Sequence, residues 1–268
     1  MNITLPDINR IMGLIQPVNS EFDNGIRTIG EWVAEHRLQI ETNKKLFYSH
    51  TNDIKILIIL LNDLLMRSMR GERGAKIKTA LEKNLKSKDD LCSNIYKKTI
   101  TDAQYRFPSE GALVIESVVK YFKDELEWNW RRYFTQVERH SEGNFIQDHL
   151  LTIKGIKFKV RDLALSNFNE NYIANDLHVV RVSTRLGLLN YGYSLLPDPA
   201  LEMGNNPSDQ KNYLFLHRLF LKLSELTDRQ WQLGDFDRSF WHFGRTVCND
   251  KPKCKICPLK KVCLTGKD

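Results

Sequence analysis

"LLTIKGIKFKVRDLAL", residues 150–165, is the stretch on which the reading of the chain turns. An apolar helix end, a glycine-bearing turn and a second apolar run describe two helices joined by a tight hairpin. Gly155 supplies the positive φ that such a turn needs, because it has no Cβ to clash. Backbone N–H groups of Gly155, Ile156 and Lys157, at the start of the second helix, would make a site for a phosphate. Helix–glycine–helix junctions also occur in purely structural bundles, so the hairpin alone names an architecture and not an activity. Outward from it, apolar residues recur at three and four, as in Ile54, Leu57, Ile58 and Leu61, or Val114, Ile115, Val118, Val119 and Phe122. Strand-like alternation is scarce, and Gly, Pro, Ser and Asn punctuate the chain at 70–74, 106–111, 140–144 and 196–209. The pattern predicts an all-α protein.

A chain of 268 residues forms one large domain or two smaller ones. Its 40 basic residues outnumber 33 acidic ones, and the net charge of +7 points to a polyanionic partner such as nucleic acid. The N-terminal "MNITLPDINRIMGLIQPVNSEFDN" lacks the charged start and continuous apolar core of a secretory signal. The most apolar run, 54–66, is broken by Asn62 and Asp63 and is too short to span a bilayer. A cytoplasmic protein without membrane contact is therefore expected. In that reducing setting the four cysteines of "CNDKPKCKICPLKKVC", residues 248–263, are expected to bind metal and not to pair as disulfides. Cys92 stands apart and is expected to be a buried apolar thiol.

Cys248, Cys254, Cys257 and Cys263 follow the spacing C-x5-C-x2-C-x5-C, in which the central pair brings two thiolates to one centre and the flanking loops bring two more. Four thiolates suffice for zinc or for a [4Fe–4S] cluster, and the spacing leaves both open. Around them lie Arg245, Lys251, Lys253, Lys255, Lys260, Lys261 and Lys267, against only Asp250 and Asp268. Short pinned loops studded with lysines such as Lys253 suit backbone phosphates. The plainer role for these lysines is to offset the charge of four thiolates.

A third stretch is "NDLHVVRVSTRLGLL", residues 175–189. Asn175 or Asp176 can cap a helix whose buried face carries Val179, Val182 and Leu186, with Arg181 and Arg185 four apart on another face. Capping is by itself a commonplace role for such a carboxylate.

Taken in this order, the three stretches resemble the helix-hairpin-helix DNA glycosylases of the endonuclease III type. That family shows L-P-G-V-G-x-K, then V-D-T-H-V-x-R-x-x-x-R-L-G, then H-G-x-x-x-C leading into four cluster-binding cysteines; this chain has "IKGIKFK" (153–159), "NDLHVVRVSTRLG" (175–187) and "FGRTVC" (243–248) before "CKICPLKKVC". The likeness runs through residues 50–268. It implies an all-α fold of two helical domains with a cleft between them: a six-helix barrel over 50–172 holding the hairpin at 146–166, and a helical domain of 1–49 and 173–268 carrying the four-cysteine loop. It implies Asp176 as the catalytic aspartate, Lys159 as the nucleophilic lysine of members that also cut the strand, and a [4Fe–4S] cluster on the four cysteines in preference to zinc. Double-stranded DNA is the implied partner of a monomer held near the nucleoid. The hairpin residues Gly155, Ile156 and Lys157, together with Arg181 and Lys253, would contact DNA, and the gap left by a flipped nucleotide would be filled from Leu64 and from Gln104 or Tyr105. Trp128, Trp130 and Tyr133 offer stacking surfaces, or core.

The chemistry suits these residue types. Breaking an N-glycosidic bond develops positive charge on the sugar, which a carboxylate stabilises. A lysine amine attacking C1′ forms a Schiff base, and elimination then cuts the strand. The expected activity is excision of a damaged, mismatched or modified base with β-lyase cleavage; the alternative is a monofunctional or inactive relative that recognises lesions without cutting. Several features depart from the family. Lys157 replaces the hairpin's second glycine, the first cysteine loop and the Lys159–Asp176 interval are each one residue shorter, and the N-terminal segment matches nothing in the family.

Overall fold

A computed structural model of the chain describes residues 7–22, 25–48, 50–66, 71–141, 147–190 and 210–266. The punctuating segment 196–209, residues 142–144, and Lys267 with Asp268 lie outside the described residues. In chain order the principal elements are α1 (Ile8–Ile15), β1 (Asn19–Phe22), β2 (Gly25–Thr28), α2 (Ile29–Lys45), α3 (Asp53–Leu64), α4 (Gly71–Asn84), α5 (Ser93–Asp102), α6 (Pro108–Lys120), α7 (Trp130–Ser141), α8 (Phe158–Leu165), α9 (Leu177–Leu186), α10 (Gln210–Glu225) and α11 (Leu233–Thr246). The chain divides into two compact units, 1–39 with 170–268, and 40–169.

The first unit is built on apolar helix faces. In α1, Asp7 caps the helix by accepting the Arg10 N–H (2.9 Å), and Ile8, Ile11, Met12 and Ile15 bury one face. They join Val179, Val182 and Leu186 of α9 and Phe236, Phe240 and Phe243 of α11 in one core. The two strands pair antiparallel, Asn19 opposite Thr28 and Phe22 opposite Gly25, a short ribbon in a chain whose other described elements are helical, as the all-α expectation has it. Four residues per strand are too few for alternation to be visible, and a tertiary contact fixes the ribbon: buried Ser20 Oγ lies 3.2 Å from His242 Nδ1 and 2.9 Å from Thr246 Oγ1 on α11.

In the second unit α3 packs against α8 and α4, with α5 against both α4 and α6. Its buried stripe is Ile56, Leu57, Leu60, Leu61 and Leu64, whereas Ile54 and Ile58 sit at the edge. On α6 the spacing holds as written, since Val114, Ile115, Val118 and Val119 are buried and Phe122 follows them inward. The end of α2 belongs here because Ile40 is buried, Asn43 donates to the Asn167 carbonyl (2.8 Å), and Phe47 stacks on Phe134 at 4.3 Å. Trp128, Trp130 and Tyr133 are core, not stacking surface: Trp130 stacks on Phe122 (4.2 Å) and its indole N–H donates to buried Asp53 (2.8 Å). Cys92, expected inside, is exposed at the start of α5.

Candidate functional site

The hairpin is fixed from beneath by charge. A 3-10 turn, His149–Thr152, leads through Gly155 at φ +99° to α8, which starts after Lys157. Positive φ falls on the glycine, and a Cβ added there would meet Val114 Cγ2 at 3.3 Å. Lys157, which stands where the resembled motif has glycine, keeps an ordinary extended φ of −124°, so its side chain carries no backbone penalty. The Ile156 N–H donates to the Ile153 carbonyl (3.0 Å), which turns it into the hairpin and away from any anion. Lys157 is exposed, and Lys159 is half-buried in the first turn of α8. Under the turn, Asp148 accepts the Leu150 N–H (3.0 Å), the Tyr133 hydroxyl (3.2 Å) and an Arg161 guanidinium N–H (3.1 Å), while Arg161 also pairs with Asp162. Arg161 and Asp162 are fully buried and Asp148 nearly so. One guanidinium thus ties the segment entering the turn to the helix leaving it.

Asp176 belongs to the first unit and is 8% exposed. It is the N-cap of α9, where Oδ1 accepts the N–H groups of His178 (2.8 Å) and Val179 (3.1 Å), and Val179, Val182 and Leu186 bury the face that the spacing predicts. The backbone before it is tethered: Tyr213 Oη accepts the Asn175 N–H (2.9 Å) and donates to the Ile173 carbonyl (3.0 Å). Asn175 stands where the resembled motif has valine. Its side chain is 1% exposed, and among the described residues neither amide atom has a hydrogen-bond partner. A buried polar group left unpaired costs about 1–3 kcal/mol.

From Asp176, α9 leads to the cysteine loop. Burial pushes the His178 imidazole below the ordinary histidine range. Arg181 lies 3.3 Å from His178 Nδ1, and because a guanidinium only donates, Nδ1 is the bare acceptor and the neutral ring carries its proton on Nε2. Arg181 also pairs with Asp250 of the loop, so this expected DNA contact is engaged within its own unit. Close approach of α9 and α11 depends on Gly244, where a Cβ would lie 3.0 Å from His178 Cβ. Gly187 ends α9 at φ +79°, with Leu264 packed where its Cβ would be.

Arg185, one turn on, donates to the carbonyls of Cys248 (3.1 Å) and Asn249 (2.6 Å) and to Cys248 Sγ (3.5 Å). Cys248, Cys254, Cys257 and Cys263 line one cavity of about 110 Å³ together with Arg185. The residue types suit a thiolate-bound centre: four cysteines line one space, with the Arg185 guanidinium beside Cys248 Sγ to offset negative charge. Among the described residues no three His, Cys, Asp or Glu side chains converge on a single-ion position. Burial raises the Cys248 and Cys257 thiols above their ordinary range, so a metal entering here would displace protons. Arg245, Lys251, Lys253, Lys255, Lys260 and Lys261 are all exposed around it.

Two expected gap-filling residues are corrected. Leu64 is 1% exposed in the α3 core and Tyr105 is 7% exposed, so neither is presented at the surface. Gln104 is exposed, at a left-handed φ of +51°, and accepts a hydrogen bond from Lys76 (2.9 Å). Sequence reasoning missed the roles of Arg161, Asp148 and Arg185. An Arg-Asp pair inside the apolar "FKVRDLAL" was a visible signal for the first; for Arg185, the four-residue spacing from Arg181 places both on the side of α9 that meets the loop.

No protein-family model and no curated protein matches the sequence. Among solved structures the chain is similar to the 8-oxoguanine glycosylase/lyase of Methanocaldococcus jannaschii, crystallised with a 15mer DNA containing 8-oxoguanine. Identity is 17%, the match covers 77% of this chain and 89% of that one, and the TM-score is 0.48. Among the described residues no helix is long and apolar enough to cross a membrane.

Proposed function

We propose that this chain is a DNA glycosylase with β-lyase activity that removes a damaged, mismatched or modified base from duplex DNA. The observation that carries the reading is the buried Asp176 carboxylate, aimed by two backbone N–H donors at the head of the helix that bears the family-like motif. An enzyme acting at C1′ must first take the nucleotide out of the stack. As the glycosidic bond lengthens, Asp176 stabilises the cationic sugar and accepts a proton from the nucleophile. The Lys159 amine forms the bond to C1′ as the base departs with the bond's electron pair. Ring opening gives the Schiff base, and loss of a C2′ proton expels the 3′ phosphate. Lys157 and the Gly155 turn would hold a backbone phosphate, and the exposed lysines of the cysteine loop, Lys253 among them, would hold others.

The four cysteines would hold a [4Fe–4S] cluster. The four cysteines line one cavity, and such a cluster would fix the loop without entering the reaction. We place the protein with cellular DNA and expect it to act as a monomer. Purified protein should be brown and contain iron; a colourless zinc protein would refute the cluster. Incubation with a panel of lesion-bearing duplexes should release one class of base, and Asp176→Asn should lower that rate by about 10³-fold or more. DNA binding without release from any lesion would leave only a non-catalytic recognition role.

A further inference from the structure

We infer that Asn175 is a substrate-contacting residue whose side-chain amide completes its hydrogen bonds on the extrahelical nucleotide. The inference rests on the glycosylase reading and names a specificity determinant within it. The contrast within the one residue is what argues for it. Its backbone is held firmly: the N–H lies 2.9 Å from Tyr213 Oη and 3.1 Å from the Ile173 carbonyl. Its side chain, 1% exposed, has neither Nδ2 nor Oδ1 hydrogen-bonded to any described residue. The main chain at Asn175 is thus fixed, while the amide it carries is left unpaired.

Structure alone gives no reason for an amide here. The preceding residues Tyr172, Ile173 and Ala174 are buried as well, and an apolar side chain of equal size at 175 would forfeit no hydrogen bonds. Natural proteins keep unpaired buried polar groups where a ligand or an ordered water answers them. Asn175 immediately precedes Asp176, the carboxylate that the reading places at C1′. An amide offers a donor and an acceptor side by side, which is complementary to the hydrogen-bonding edge of a nucleobase and discriminates between bases that exchange donor for acceptor. A buried water is the other partner chemistry allows, and it would make the amide structural.

Asn175→Leu, which keeps the volume, and Asn175→Val, which reduces it, separate these roles through two readouts. The first is thermal stability of the whole protein. The second is binding to duplexes carrying an unpaired nucleotide of each base type, relative to a fully paired duplex. If the amide serves the substrate, at least Asn175→Leu should melt about 2–4 °C higher than wild type. The preference for the best unpaired base should fall about tenfold while paired-duplex binding stays unchanged. Lower melting temperatures in both variants would assign the amide to a structural water and overturn the inference. So would a higher melting temperature with the base preference intact. A wild type that binds every duplex alike would instead defeat the glycosylase reading and take this inference with it.

Discussion

The hairpin and the cysteine loop both offer cations to solvent, yet they are stiffened in opposite ways. Beneath the hairpin, charge is buried: Arg161 is wholly enclosed between Asp148 and Asp162, and the lysines stand outside on a frame that the guanidinium closes. The cysteine loop keeps its lysines exposed and is anchored through backbone carbonyls that accept from Arg185. Burying ions makes each partner indispensable, because removing one strands the other. Hydrogen bonding to the main chain spreads the load and leaves the side chains free to vary. The difference teaches that a cationic surface can be either integral to the fold or added to it, and mutation distinguishes the two.

Five variants sharpen or break that contrast. Arg161→Met leaves Asp148 and Asp162 buried without their guanidinium and should lower the unfolding free energy by about 3–5 kcal/mol in urea titrations. A loss below about 1 kcal/mol would show that the hairpin does not depend on it. Arg185→Gln should cost about 1.5–3 kcal/mol and speed amide exchange at 248–257, with the hairpin unaffected.

Acid should also discriminate between the two units. His242, which bears on the ribbon and lies on the helix entering the cysteine loop, is pushed down to about 3 by burial and by the nearby Arg245, Arg238 and Arg27. His36 is pushed down to about 2 by burial beside Arg238. Their folded values lie below the unfolded one, so no penalty exists above pH 6.5, and stability falls as the unfolded chain takes up protons below it. Between pH 6.5 and 5 this slope should remove about 1–2 kcal/mol per histidine, and His242→Phe should flatten it by one histidine's share. An unchanged slope would mean that His242 is protonated in the fold. The smallest stability effect belongs to Lys253→Glu and Lys260→Glu, within about 0.5 kcal/mol of wild type. In salt titrations of DNA binding, each should flatten the slope by about one unit.

Much of the frame was legible in the sequence because helical spacing reports burial directly. The inward faces of α6 and α9 follow the written pattern, as does the positive φ at Gly155. The β-ribbon was not legible, since its register depends on Ser20 meeting α11 more than two hundred residues away. Nor was the burial of Leu64 and Tyr105, which follows from packing and not from local composition. The candidate site was named from residue type and order alone, in Lys159, Asp176 and the four cysteines. What holds them was not: Arg185 and Cys248 meet across 63 residues, and the Asp148–Arg161 pair, though inside the hairpin, shows only once the turn brings the two side chains together. Asn175 reads in sequence as an ordinary helix-cap candidate, and only its enclosure shows the amide to be unpaired.

Borohydride trapping tests the central claim most directly. Sodium borohydride added during reaction with a lesion-bearing duplex should reduce the Schiff base to a stable protein–DNA adduct on a denaturing gel, and Lys159→Gln should form none. An adduct of undiminished yield in Lys159→Gln would contradict the assignment of that amine as the nucleophile.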